Sequence, residues 1–300
     1  MNMSSNNING GGVASGLDKF YTLPSCSKKC IEKVYELYDN DNDNDNDNET
    51  DKPWDLVVEP SAGNGSFLNQ LPDTNKVGID IAPEGPGIVQ QDFLTYTPPA
   101  NTNILVIGNP PFGRVSSTAI KFFNHAAKWA KIVAFIVPRT FRKTSVQNRL
   151  DLSFHLVYDE ELPTTPCCFS PPMMAKCCFQ IWERRATLRT RVDLPTKHAD
   201  WEFLAYGPKD EEGQPTPPQG VDLALRAYGG KIGEIQIVQS NLQQLRPKSW
   251  HWIKTKIDKT TLINRLRGLD YSHSLNTARQ NSMGRGELVN LYTAFVNAEG

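Results

Sequence analysis

The run Asp55-Leu56-Val57-Val58-Glu59-Pro60-Ser61-Ala62-Gly63-Asn64-Gly65-Ser66-Phe67 decides the fold. Its apolar residues are continuous rather than alternating, as in a parallel strand buried on both faces. Pro60, Ser61, Ala62, Gly63 and Gly65 follow, and the glycines let the backbone turn tightly and pass close to a ligand. A helix-like segment comes next, and the amides at its start attract a carboxylate. Glu59, at the strand tip, can accept from an ammonium group. The longer Gly-x-Gly-x-x-Gly of dinucleotide sites is absent.

The same rhythm recurs downstream. Lys76–Ile81, Gly87–Gln91, Asn103–Gly108, Ile132–Val137, Phe154–Tyr158 and Lys176–Trp182 are further apolar runs ending in turn residues. Helices are expected over Pro24–Tyr38 and Thr118–Ala130. Seven strands with interleaved helices imply a doubly wound α/β domain over residues 17–186. Residues 1–16 and the Asp/Asn tract 39–51 read as disordered, because neither can bury apolar surface. The tract lacks the Gly and closing Glu of a calcium loop. Residues 187–220, rich in Pro, read as a loop or linker, and 221–300 as a small C-terminal α+β appendage. In the appendage a helix is expected near Val221–Tyr228, with strands near Ile235–Val238 and Trp250–Lys254. Helices follow at Thr260–Arg267 and Glu287–Phe295.

The formal net charge is −1 and 39% of residues are hydrophobic, a globular balance that is not the strongly basic one of many nucleic-acid binders. No stretch approaches the roughly 18 apolar residues of a membrane span, and the N-terminus lacks an apolar signal core. An intracellular location, cytoplasmic or nuclear, is expected. The six cysteines include two adjacent pairs, Cys167-Cys168 and Cys177-Cys178, a poor match to zinc-ligand spacing. They read as reduced, small apolar residues, as do Cys26 and Cys30 one helical turn apart, and no metal is expected.

Three later strand ends carry chemistry. Asp80, followed by Ile81, can take both hydroxyls of a ribose. Asp92 can accept from an adenine amine, with Phe93 beside it as a stacking face. Asn109-Pro110-Pro111-Phe112 ends the fourth strand, in the crevice where such sheets bind ligands. Two prolines fix that turn and remove two amide donors. The Asn109 side-chain oxygen and the Pro110 carbonyl can accept both hydrogens of an amine, aiming its lone pair, while Phe112 offers a flat face.

In this order the elements resemble the gamma class of amino-methyltransferases acting on adenine in nucleic acid. Phe20-Tyr21-Thr22-Leu23-Pro24 is similar to that family's pre-loop segment, with one residue inserted before the proline. Val137-Pro138-Arg139-Thr140-Phe141 resembles the segment after its fifth strand, and Cys168-Phe169-Ser170-Pro171 its Phe-Pro element. The match spans about residues 18–184. The whole chain, with Gly229-Gly230-Lys231 and Ser249-Trp250-His251-Trp252, also resembles uncharacterised methyltransferases of large viruses and microbial eukaryotes. The resemblance implies a Rossmann-like methyltransferase sheet, S-adenosyl-L-methionine as cofactor, and methyl transfer to adenine N6, with DNA favoured over RNA as partner. It implies that Phe112 and Phe169 sandwich a flipped base, with Asn109, Pro110 and Pro111 as the rest of the catalytic set. The cofactor would lie against Tyr21, Thr22, Glu59, Pro60, Ser61, Ala62, Gly63, Gly65, Asp80, Ile81, Asp92, Phe93 and Asn109. A protein glutamine methyltransferase and an inactive nucleic-acid-binding homologue are the other readings.

Several cations are candidates for phosphate contact or for plain solvation: Arg114, Arg139, Arg142 and Lys143 on the rim, and Arg184, Arg185, Arg189 and Arg191 after the last strand. Trp250, Trp252, Lys254 and Lys256 are either a stacking platform or a core strand. His125 and His155 show no partners in the sequence.

Overall fold

A computed structural model describes residues 19–38, 54–72, 75–100, 103–238 and 242–299. The N-terminal 1–16 segment and the 39–51 tract lie outside them. The first unit runs β1 (Tyr21–Thr22), α1 (Pro24–Tyr38), β2 (Leu56–Pro60), β3 (Lys76–Asp80), β4 (Ile88–Gln90), β5 (Ile104–Gly108), α2 (Ser117–Ala126), β6 (Ile132–Pro138), α3 (Thr144–Gln147), β7 (Phe154–Glu161), β8 (Phe169–Ser170) and β9 (Cys177–Arg184). The seven-stranded sheet has the order β4-β3-β2-β5-β6-β9-β7. β9 runs opposite to the other six strands. This is a doubly wound, Rossmann-like sheet.

The continuous apolar runs fall where both faces are covered. Every residue of β2, β5 and β6 is buried. On one face Val58, Val106, Phe135 and Trp182 pack with Phe123 of α2. On the other, Val57, Leu105, Ile107 and Phe179 pack with Ile31 and Val34 of α1. The edge strand β4 is largely exposed. The connection direction reverses between β2 and β5, so the ligand crevice lies at the ends of those strands. The helix-like segment after Gly65 is a run of turns. Pro72 follows too soon for a regular helix to grow.

The C-terminal region holds an antiparallel sheet of β10 (Trp201–Phe203), β11 (Leu223–Arg226), β12 (Ile235–Ile237) and β13 (Trp250–Thr255), in the order β10-β13-β11-β12. Helices α4 (Lys259–Arg267) and α5 (Arg285–Glu299) pack on it. Two expectations change here. The helix expected near Val221 is the central strand β11, whose Leu223, Ala224 and Leu225 are all fully buried. Gly220 and Gly229-Gly230 leave no room for a helix, and burial between two strands overrides propensity. The stretch 187–220 is not only a loop: it contributes β10, and Trp201 is 1% exposed in the core with Leu225, Leu266 and Tyr292.

This sheet docks on the first unit beside the crevice. Lys143 pairs with Glu287 at 2.8 Å, both 12% exposed. The Lys176 amide donates to the Ala278 carbonyl at 2.7 Å, and its ammonium to Asn281 Oδ1 at 2.7 Å. Burial alone would raise the Glu287 carboxyl, but hydrogen bonds from His273, Lys143 and the Gly284 amide bring it down to about 2. Burial drives His251 down to about 4, and its Nε2 donates to the Met283 carbonyl.

The cysteines are not all reduced. Cys26 of α1 and Cys168 form a disulfide, Cα to Cα 5.8 Å. The antiparallel pairing of β1 with β8 brings these two segments together, and nothing local in sequence marks it. Cys177 and Cys178 are free and buried in β9.

Candidate active site

The crevice is assembled from four strand ends and one strap. At the tip of β2, Glu59 is 2% exposed. Its oxygens accept from the amides of Phe67 at 3.3 Å and Leu68 at 2.6 Å. Glu59 therefore shapes the glycine loop from beneath rather than facing an ammonium. Burial pushes its carboxyl up to about 8, against those two hydrogen bonds.

The loop itself has left-handed backbone at Ser61 (φ 58°), Gly63 (φ 53°) and Gly65 (φ 82°). At Gly63 a Cβ would sit 2.9 Å from Cε1 of Tyr21, so the loop and the strap touch there. Asp80 Oδ2 accepts from the Gly63 amide and Oδ1 from Ala82, both at 2.8 Å. Each carboxylate oxygen has a further lone pair for a ribose hydroxyl. Ile81 is 51% exposed beside it, an apolar shelf at the mouth.

Asp92 is exposed, and its Oδ1 accepts from the Leu94 amide at 2.9 Å. Phe93 is not a stacking face. It is 2% exposed and packs on Phe122 and His125, ring centres 5.1 Å from each. Its burial anchors the turn that presents Asp92. His125 Nε2 bonds the Tyr96 carbonyl and His155 Nε2 the Thr187 carbonyl, so both histidines have structural partners.

Asn109-Pro110-Pro111-Phe112 leaves β5 directly opposite the loop. A Cβ on Gly108 would lie 3.4 Å from both Glu59 Cγ and the Pro60 carbonyl. The Asn109 side-chain nitrogen donates to the Phe20 carbonyl at 3.2 Å. That bond fixes which end of the amide is the acceptor, leaving the oxygen for a substrate. The Phe112 carbonyl accepts from the Thr118 and Ala119 amides at 3.2 and 3.3 Å, seating the turn on the start of α2. Val115 and Ser116 beyond it are left-handed at φ 51° and 59°. Val115, a β-branched residue in that region, is strained and 70% exposed.

The strap crosses the crevice. Thr22 pairs with Phe169 and Tyr21 with Ser170 across β1 and β8. The Tyr21 hydroxyl donates to Glu84, which also binds Lys19. Those hydrogen bonds, Lys19 first, lower the Glu84 carboxyl, while burial and then Glu84 push the Tyr21 phenol up to about 12. Between strap and loop is a cavity of about 240 Å³, lined in part by Tyr21, Thr22, Gly65, Ser66, Asn69 and Ser170. Phe112 and Phe169 belong to one apolar cluster, as a clamp requires, but Phe169 is 4% exposed. Its ring is covered in this structure by the cluster it belongs to.

Three of the four rim cations are occupied, while Arg114 is exposed and, among the described residues, makes no ion pair. Arg139 pairs with Glu161 at 2.7 Å. Arg142 pairs with Asp159 and Glu161, and Lys143 with Glu287. The arginines after β9 lie at the opposite end of the sheet, since Glu183 pairs with Ile132 at the start of β6. Arg184 donates to the Ala130 and Ala127 carbonyls, and Arg189 to those of Phe154, Gln147 and Asp151. They cap carbonyls. Trp250 and Trp252 are 5% and 1% exposed, core residues rather than a platform.

No protein-family model matches the chain, and no curated protein does. Solved structures similar to it include the 23S rRNA methyltransferase ErmE, at 19% identity over 53% of this chain and 69% of that one, TM-score 0.37. A putative RNA methyltransferase, PH1948 from Pyrococcus horikoshii, is similar at 14% identity over 58% and 88%, TM-score 0.41. Magnesium protoporphyrin IX methyltransferase from Synechocystis PCC 6803, with bound SAM, is similar at 14% over 53% and 79%, TM-score 0.38. Among the described residues no helix is long and apolar enough to cross a membrane, and no group of three or more His, Cys, Asp or Glu side chains is placed to hold a metal ion.

Proposed function

We propose that this chain transfers a methyl group from S-adenosylmethionine to the N6 amine of adenine in a nucleic acid, DNA in preference to RNA. The observation that carries the reading is the orientation of Asn109. Its nitrogen is held by the Phe20 carbonyl, so its oxygen is the free acceptor beside two prolines that donate nothing. That environment suits an amine with two hydrogens to give.

The cofactor fits the loop. Glycines stand where a side chain would fill the cradle, and Asp80 and Asp92 keep acceptor capacity at successive strand ends. When bound, S-adenosylmethionine supplies an electrophilic methyl on a sulfonium. The protein's part is alignment. Asn109 Oδ1 and the Pro110 carbonyl accept the amine hydrogens and turn the nitrogen lone pair toward the methyl. Phe112 holds the ring plane, with Phe169 on its other side. Alignment of this kind is worth several powers of ten without a base. The displaced proton leaves to solvent after the nitrogen–carbon bond has formed. A target inside a duplex must first leave the stack, at a few kcal/mol, and two aromatic faces return roughly 1–3 kcal/mol per stacked base.

The test is incubation with methyl-labelled cofactor and separate DNA, RNA and protein pools, followed by nucleoside and amino-acid mass analysis. Label in N6-methyldeoxyadenosine supports the reading. Label in N6-methyladenosine moves the substrate to RNA, and label in methylglutamine overturns the adenine assignment.

A further inference from the structure

A second cavity of about 360 Å³ lies in the C-terminal unit, away from the glycine loop. We propose that it is a nucleotide-binding site, holding one phosphodiester and its base from the substrate strand outside the methylated adenine. The proposal rests on the nucleic-acid reading above.

Its lining includes Arg226, Arg246, Tyr228, Gln244, Ser249 and Gln280, and no carboxylate. The absence of acid is the informative feature. Around the catalytic mouth, Arg139, Arg142 and Lys143 are each neutralised by Asp or Glu. Among the described residues, no ion pair involves Arg226 or Arg246.

Arg226 is preset for an anion. Its Nε donates to the Tyr228 carbonyl at 3.0 Å, and its guanidinium carbon lies 5.0 Å from the Trp250 ring centre. One edge and one face are thereby fixed, which leaves the terminal nitrogens to donate to a phosphate as a planar fork. Gly229, at φ 99°, makes the turn beside Arg226 Nη2, and a Cβ there would lie 3.6 Å from that nitrogen. Tyr228 is 46% exposed and offers a ring for a base to stack on. Gln244, Gln280 and Ser249 supply donors and acceptors for base edges. The volume falls in the ordinary range of small-ligand sites.

The position ties the cavity to the catalytic mouth. Gly229 N donates to the Asn281 carbonyl at 3.0 Å, next to Gln280. The Asn281 side chain accepts from Lys176, which leads into β9 after the Phe169 segment. A nucleotide held here is therefore held in the frame that carries Phe169.

The experiment is fluorescence anisotropy of a labelled adenine-containing duplex from 50 to 300 mM NaCl, alongside calorimetry with S-adenosylmethionine. Wild type is compared with R226A/R246A, R226K/R246K and Y228A. The Ala pair should weaken duplex affinity at least 10-fold. It should also flatten the log–log salt slope by about 0.9, since the single phosphate held here no longer releases its counterion. The Lys pair should restore the slope. Y228A should weaken affinity about 5-fold or more with the slope unchanged. Cofactor affinity should not move in any variant. An unchanged slope in the Ala pair, with wild type binding and methylating the duplex, overturns this site alone. A wild type that binds neither DNA nor RNA overturns the site and the functional reading together.

Discussion

The two sides of the candidate site are built by different means. The cofactor side is made of consecutive strand ends. Glu59, Asp80 and Asp92 each accept from backbone amides within 17 residues or fewer along the chain. The acceptor side is joined across long distances. Asn109 is held by Phe20, 89 residues away, and Phe169 by pairing with Thr22. The first side is held by short-range hydrogen bonds and does not depend on the strap pairing. The second depends on the strap and carries the covered Phe169 ring, so on the proposed function it is the side that has to open. The difference predicts that substitutions will separate cofactor binding from methyl transfer.

Asn109→Ala should separate them most. It removes the acceptor and the tether to Phe20 together. Methyl transfer should fall by roughly 10²–10³, the scale of losing one aligning contact. Cofactor affinity by calorimetry should stay within about 3-fold. A parallel loss of both would mean that the two sides are one unit.

Gly63→Ala attacks the other side. Its φ of 53° is costly for any side chain, and the new Cβ meets Tyr21 at 2.9 Å. Cofactor affinity should weaken by about 10- to 100-fold, while the turnover of enzyme saturated with cofactor changes little. Adding Tyr21→Ala should recover part of the affinity by removing the clash. Comparison with Tyr21→Ala alone separates the two: no recovery beyond that single variant would show that backbone strain is responsible.

Phe112→Ala sharpens the acceptor side further. The ring is only partly buried, so the fold should tolerate its loss. The substrate KM should rise by about 10-fold through lost stacking, with the melting temperature nearly unchanged. Phe93→Ala is the contrast: a fully packed ring whose loss costs about 3–5 kcal/mol of stability.

The same division explains what could be read from the chain. Strands β2, β5 and β6 declare themselves because burial on both faces writes continuous apolar runs, and Glu59 and Asn109 stand at the ends of two of them, while Asp80 ends the partly exposed β3 and Asp92 follows the short, partly exposed β4. Their placement was legible because it is local. The pairing of β1 with β8 was not: two residues against two, Tyr21 with Ser170 and Thr22 with Phe169, leave no periodicity. The same holds for the Cys26–Cys168 bond that depends on it. Phe93 misled because an aromatic after a strand-end acid looks identical whether it stacks on a ligand or on Phe122. The rim arginines misled because their partners, Asp159 and Glu161, lie on another strand. Strand β11 misled because Leu-Ala-Leu-Arg has helical propensity, and only its neighbours β12 and β13 decide otherwise.

The smallest expected effect tests how the cofactor side is held. Glu59 titrates at about 8 in the folded chain and near 4.5 when unfolded. Between those values the folded state holds a proton that the unfolded state lacks, so this contribution is full below pH 4.5 and is lost as pH rises through 8. His251 acts with the opposite sign between about 4 and 6.5, since burial holds it unprotonated in the fold. Glu59→Gln leaves His251 untouched, so the difference between variant and wild type isolates Glu59. Gln offers one carbonyl where Glu59 offers two oxygens, and its amino group faces a backbone amide that then lacks a partner. The variant should melt a few degrees below wild type at pH 5, and the gap should narrow by pH 8.5 as wild type loses its protonated carboxyl. A gap that stays constant from pH 5 to 8.5 would mean that Glu59 is already ionised in the fold, held by its two amides.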